Sequence, residues 1–363
     1  SGIANDLYRM FHVWMGPLPG GLALGTVGLM VAVSAMNGLS VAGLAIGASI
    51  AMPEMLKRGY DKRMVTGIIQ AGSSIGLMMP PSVVLVLYGM IARQPVSTLW
   101  IAGIGPALLL AAMLTLYIVI RCKLNPALAP ALSKEELASI SPEERRRLLR
   151  AGLLPLVIIV AVTGSFLTGM ASLVESSAVG ALVATLAAYF KKRLTRKVMN
   201  VALVQTLSVS CMFMWIIMGA LCFSSVFDGL GAVHAIKTLF LDGWHLSPWG
   251  VLIVMQISFL ILGMFLDDTA MLIIVAPLYI PLVKALGFDP IWYGVLYTIT
   301  CQIAYMTPPL GYNLFLMKAM APKGVTMNDI YASILPVVSL LLLSLILVMI
   351  FPDIAMYLTR AFK

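Results

Sequence analysis

The sequence predicts an all-α polytopic membrane protein made of two inverted repeats, each with a re-entrant helical hairpin and a broken transmembrane helix. Composition, the placement of basic residues and a self-match at a fixed offset carry this expectation. The 363 residues are 61% hydrophobic and 11% charged, with a mean hydropathy of +1.00. Soluble domains are about half apolar and about a quarter charged, so lipid is the solvent for most of this chain.

Apolar stretches near the length of one crossing, about 20 residues, occur at 62–92, 98–121, 151–169, 174–190, 198–227, 291–320 and 330–351, which gives seven crossings. Two further tracts, 20–56 and 248–284, are about twice that length and are interrupted at Ser34–Ser40 and Gly263–Thr269. They read as hairpins that enter and leave by one face. Non-helical backbone at that depth survives only buried in protein or lining a wet cavity.

The charge of +9 follows topology rather than a nucleic-acid surface. Eighteen of the 24 basic residues fall in loops assigned to one face: Lys57, Arg58, Lys62 and Arg63; Arg121, Lys123, Lys134, Arg145, Arg146, Arg147 and Arg150; Lys191, Lys192, Arg193, Arg196 and Lys197; Lys318 and Lys323. The positive-inside rule makes these loops cytoplasmic and puts the C-terminus outside. Residues 123–150 form a hydrophilic insert with helix-start signatures at Ser133 and Ser141, expected to hold one or two short surface helices. Cys122, Cys211, Cys222 and Cys301 lack metal-ligand spacing and read as reduced packing residues.

At an offset of 228, residues 1–92 align without a gap on 229–320, pairing Pro53 with Pro281, Gly59-Tyr60-Asp61 with Gly287-Phe288-Asp289, and Pro80-Pro81 with Pro308-Pro309. The loop after the first hairpin is strongly basic, whereas its counterpart after the second contains no Lys or Arg, so the copies are inverted. Inverted repeats are a signature of secondary transporters, with sites at the repeat interface near the midplane. Residues 152–228 precede the second copy with no counterpart before Ser1, and further N-terminal helices are expected.

Each copy supplies a hairpin tip and, further along, a helix interrupted at Pro-Pro. Proline removes a donor and disfavours helix in the residue before it, which frees carbonyls. Carbonyls ending a half-helix suit Na+, while half-helix N-termini favour an anion. Side chains that complete such shells are Ser34, Asn37, Ser40, Asp267, Asp268 and Thr269 at the tips, with Ser73, Ser74 and Thr307 on the broken helices. Among intramembrane acids, Asp267 and Asp268 are the strongest candidates, and Glu175, at the start of a span, reads as interfacially exposed or as a helix N-terminal cap. No HExxH or phosphate-binding glycine loop occurs and no GxSxG lies in a strand-turn-helix setting, so an enzyme is poorly supported, and adjacent Asp267 and Asp268 cannot form a catalytic pair on two spans.

Taken together, Gly20-Gly21-Leu22-Ala23, the run Ile50–Tyr60, Pro80-Pro81-Ser82, Gly263–Asp267 and Thr307–Gly311 resemble the large membrane subunit of TRAP transporters. The resemblance implies a Na+-driven importer of an organic anion in a bacterial inner membrane, which makes the C-terminus periplasmic. Its expected partners are a small membrane subunit and a periplasmic substrate-binding protein, and its motion is an elevator movement of a transport domain against a scaffold. The implied organisation is an arm at 1–19, a first transport region at 20–97 (hairpin 20–58, broken helix 62–92), scaffold helices at 98–228, and a second arm at 229–247. A second transport region at 248–322 (hairpin 248–287, broken helix 291–320) and a C-terminal transmembrane helix at 328–363 complete it. By position, the resemblance implies one Na+ site at Ser34, Asn37, Gly38, Gly76 and Met79, and another at Gly263, Asp267, Asp268, Thr269, Met306 and Thr307. Substrate contacts would come from Asn37, Ser40, Ser73, Pro81, Ser82, Asp268, Pro309 and Gly311. The family usually has a Ser-rich first tip, whereas this chain reads Met36-Asn37-Gly38-Leu39-Ser40. A stand-alone anion:Na+ symporter or cation antiporter of related architecture is the alternative, and a channel the rival of another class.

Overall fold

Apolar stretches that must satisfy their own backbone in lipid form helix, and among the described residues of the computed structural model no strand occurs. The structure describes all residues except 1–2, 17, 19, 39, 131–140, 168, 232–234, 236–237, 239–245, 267, 310 and 362–363. The second arm thus lies largely outside the described residues.

Helix α1 (Ile3–Met15) leads into the first hairpin, whose outward limb is α2 (Gly21–Asn37). The return limb is α3 (Ser40–Ile46), a π-helical turn (Gly47–Ala51) and α4 (Met52–Lys57). The first broken helix comprises α5 (Lys62–Ser74), a 3-10 turn (Ile75–Leu77) and α6 (Val83–Ala92). Then follow α7 (Val96–Leu124), α8 (Pro142–Leu167), α9 (Leu173–Phe190) and α10 (Arg196–Gly229). The second hairpin is α11 (Pro248–Gly263) and α12 (Asp268–Ala285), and its broken helix is α13 (Pro290–Ala304) with α14 (Tyr312–Met320). Helices α15 (Met327–Ile350) and α16 (Asp353–Ala361) end the chain.

The Gly-aromatic-Asp triplets have the same local task in both places. Gly59 (φ +76°) and Gly287 (φ +82°) end a hairpin limb in a conformation that glycine adopts without steric cost. Two residues later Asp61 and Asp289 cap the next helix: the Met64 amide donates to Asp61 Oδ1 at 2.9 Å, and the Ile291 amide to Asp289 Oδ1 at 2.7 Å. Both Pro-Pro bonds, Pro80–Pro81 and Pro308–Pro309, are cis.

Some elements differ from expectation. The Ser141 signature starts α8 itself, with the Arg145 amide donating to the Ser141 carbonyl at 2.9 Å, so the surface helix and the following span are one helix. The segment 328–363 carries two helices, because Pro352 cannot continue the hydrogen-bond ladder of α15. Cys122 and Cys301 are buried packing residues, whereas Cys211 and Cys222 are exposed on α10, a helix whose apolar surface faces outward. Glu175 closes a capping box with Ser172, as its position at the start of a span suggested.

Elements of the two copies share one core. Tyr88 on α6 stacks on Tyr297 of α13 with ring centroids 6.0 Å apart, Phe259 of α11 meets Tyr297 at 4.9 Å, and Tyr88 Oη donates to the Pro290 carbonyl at 2.6 Å. Gly294 leaves the room this needs, since a Cβ there would come within 2.5 Å of the Tyr88 ring. Helix α15 packs on α5, α7 and α13, and α16 folds back on α7. Helix α8 packs on α1 and α2 and meets Trp100 of α7 through Phe166, and α9 lies outside it against α8, with Lys191 pairing with Asp6 of α1.

A Cβ on Gly105 of α7 would overlap the Ile354 carbonyl of α16. Gly105→Ala is expected to cost about 1–3 kcal/mol through overpacking and to lower the unfolding temperature in detergent. Gly219→Ala on α10 meets open space and is expected to raise it slightly through helix propensity.

Candidate functional site

The first hairpin tip is locked onto the first break through backbone. Gly38 sits at φ +69°, and a Cβ there would overlap the Pro81 carbonyl oxygen. The Val83 amide, left without an intrahelical acceptor by the break, donates to the Gly38 carbonyl at 3.4 Å. Ser82 caps α6: its Oγ accepts the Leu85 amide at 3.2 Å and donates to the Leu77 carbonyl at the end of the 3-10 turn. Trp100 on α7 donates its Nε1–H to the Ser82 carbonyl at 3.1 Å, which ties the break to the neighbouring long helix.

A polar centre forms where this tip meets the second broken helix. Asn313, the second residue of α14, donates from Nδ2 to Ser40 Oγ at 3.1 Å, and Ser40 Oγ lies 3.5 Å from Ser73 Oγ on α5. All three side chains are buried, Asn313 and Ser73 completely. The Asn313 amide donates to the Tyr305 carbonyl across the second break at 3.1 Å. Asn313 Oδ1 has no hydrogen-bond partner among the described residues, and neither does Gln70 Oε1, one turn before Ser73. An unsatisfied buried acceptor costs about 1–3 kcal/mol, a cost that a donor or a cation at Asn313 Oδ1 would relieve. None of Ser40, Ser73, Asn313 and Gln70 carries a charge, which leaves the charge to whatever binds.

The second break is more open than the first. Pro308 and Pro309 are exposed, whereas Pro80 is buried and Pro81 half-buried against Trp100, Ile101, Val162 and Phe166. Thr307 Oγ1 donates back to the Ile303 carbonyl at 2.7 Å and keeps its lone pairs. Gly311 is buried, and its amide donates to the Thr307 carbonyl at 3.2 Å. Met306 is fully buried, and a Cβ on Gly263 would press on Ala304 at 2.5 Å, so the end of α11 lies directly against the end of α13.

Of the residues named from sequence, Gly38, Ser40, Ser73, Pro81 and Ser82 are thus brought together, with Gly76 buried in the adjoining 3-10 turn. Met79 lines an apolar groove of about 420 Å³ together with Phe11, Val31 and Leu156. Ser34 and Asn37 lie in the last turn of α2 and Asp268 and Thr269 in the first turn of α12, their side chains outside the described residues, as is Asp267 altogether. Asn313 and Trp100 were not singled out from sequence. A lone Asn two residues after the Thr307–Gly311 motif, in an otherwise apolar stretch, was the available signal for Asn313; Trp100 offered none.

Substituting Gly38 by Ala is expected to combine left-handed strain of about 1–2 kcal/mol with overpacking of about 1–3 kcal/mol. Thermal unfolding in detergent should show a clear loss of stability, with Gly59→Ala, which meets open space at a similar φ, losing only the strain component.

Comparison with known proteins fits this architecture. A family model described as "Tripartite ATP-independent periplasmic transporter, DctM component" matches residues 1–354. The chain is 32% identical over 361 residues to the C4-dicarboxylate TRAP transporter large permease protein DctM of Pseudomonas aeruginosa, covering 98% of this chain and 81% of that protein. It is 29% identical over 358 residues to the 2,3-diketo-L-gulonate TRAP transporter large permease protein YiaN of Escherichia coli, covering 97% and 81%. Among solved structures, Neisseria gonorrhoeae MtrF, reported in work on a class of antimetabolite efflux pumps, shares the fold with a TM-score of 0.58 at 17% identity, over 98% of this chain and 84% of that one. The chain belongs to the DctM component family of tripartite ATP-independent periplasmic transporters.

Proposed function

We propose that this chain is the large permease subunit of a Na+-driven, binding-protein-dependent importer of an organic anion. The observation that carries the proposal is the buried, uncharged centre of Ser40, Ser73 and Asn313, with an orphaned Asn313 Oδ1, where the first tip meets the second broken helix. Oxygen-rich and uncharged, it suits Na+, and half-helix ends nearby supply further carbonyls. A second cation site is proposed at the second tip, with Asp267, Asp268, Thr269 and the free lone pairs of Thr307. Bound cations would then favour an anion at the N-terminal ends of α6 and α14.

Two of the relatives named above take C4-dicarboxylate and 2,3-diketo-L-gulonate, both carboxylates, which supports an organic anion here. In the isethionate relative named DctMQ, of Oleidesulfovibrio alaskensis, the matching region is 55% of the chain, consistent with a small membrane subunit joined to this one. Inversion of the two copies, which the basic loop at 57–63 and its counterpart without Lys or Arg suggest, would let the tip-and-break elements move as an elevator against α7–α10 and α15. An inner-membrane location with cytoplasmic basic loops completes the reading. The alternative, a stand-alone symporter or antiporter, draws on the fold shared with MtrF.

Reconstituted in liposomes with its small subunit, the permease is expected to take up solute only with both an inward Na+ gradient and its periplasmic binding protein. Uptake needing neither would contradict the proposal. Thr307→Val and Asp268→Asn are each expected to raise the Na+ concentration for half-maximal uptake about tenfold or more, the scale of losing one interaction with a charged group, about 1.5–3 kcal/mol. Unchanged Na+ activation in both would remove the second site.

A further inference from the structure

Helical spacing puts Asn5, Tyr8, Arg9 and His12 on one face of α1. That face lines a cavity of about 360 Å³ whose other walls include Ile50 in the π-helical turn, Glu54 on α4 and Leu148 on α8. Tyr8 is 5% exposed, and its Oη has no hydrogen-bond partner among the described residues. Glu54 is neutralised by Arg58 at 2.8 Å, and Arg58 Nη2 extends to 3.4 Å from His12 Nε2. Arg9 is exposed and forms none of the ion pairs found among the described residues, so the cavity keeps an uncompensated positive charge. Nearby, the Arg145 guanidinium lies 4.6 Å from the ring centroid of Trp14, which is itself 46% exposed.

We infer that this cavity binds the headgroup of an anionic phospholipid, with Arg9 as charge partner to the phosphate and Tyr8 Oη and the Asn5 amide as hydrogen-bond donors. A phosphate oxyanion fits the donors and the charge. The lipid source follows from the surroundings, because an exposed tryptophan, a stacked arginine and apolar walls at Ile50, Val13 and Leu148 are what a membrane interface supplies. The walls come from α1, the first hairpin and α8, so an occupied cavity fastens the hairpin limb to its arm.

The test uses the intact permease purified in neutral detergent and titrated with phosphatidylglycerol, phosphatidylcholine or inorganic phosphate while thermal unfolding and native mass are followed. Phosphatidylglycerol is expected to raise the unfolding temperature and give a discrete bound mass, with phosphatidylcholine and phosphate doing neither. Arg9→Gln, at an exposed position that folding tolerates, should cut the phosphatidylglycerol shift at least in half, Tyr8→Phe should reduce it, and Arg9→Lys should restore most of it. A full shift in Arg9→Gln, or equal protection by phosphatidylcholine or by phosphate alone, would overturn the assignment.

Discussion

Interrupting a helix inside a bilayer leaves amides and carbonyls that only protein can satisfy, and the centre of this molecule is organised around that requirement. At the first break, Gly38 accepts the Val83 amide, the Ser82 hydroxyl bridges Leu77 and Leu85, and Trp100 covers the Ser82 carbonyl. At the second, the Asn313 amide reaches back to Tyr305 while its side chain crosses to Ser40. Neither broken helix is complete by itself. The tip of one hairpin and the break of the other are held together because each satisfies groups that lipid would leave bare.

This explains why some features were legible in the sequence and others were not. Gly59-Tyr60-Asp61 and Gly287-Phe288-Asp289 act locally: a positive φ and an N-cap two residues later need no distant partner, so the motif announces its structure. The Pro-Pro steps announce breaks for the same reason. Asn313 and Trp100 matter through partners 273 and 18 residues away, a kind of contact that no local pattern encodes. The offset that aligns the copies also hid Asn313, because its counterpart is Leu85. Likewise, the continuity of α8 through 142–167 depends on a cap at Ser141 that was visible, while the length of the helix following it was not.

The two copies share their succession of elements but not their surroundings. The first break is sheltered by α7 and α8, and the second presents Pro308 and Pro309 to the outside. The two proposed cation sites are therefore unequally enclosed, one beside a sheltered break and one beside an open break.

The central claim is that Ser40 and Asn313 form one cation-binding unit across the two copies. Half-maximal Na+ concentrations for uptake by Ser40→Ala, Asn313→Ala and the double variant test it most directly, as a double-mutant cycle. The account predicts a marked rise in each single variant, with the double variant little worse than the more severe single one. Strictly additive effects, or unaltered Na+ activation in the singles, would contradict it.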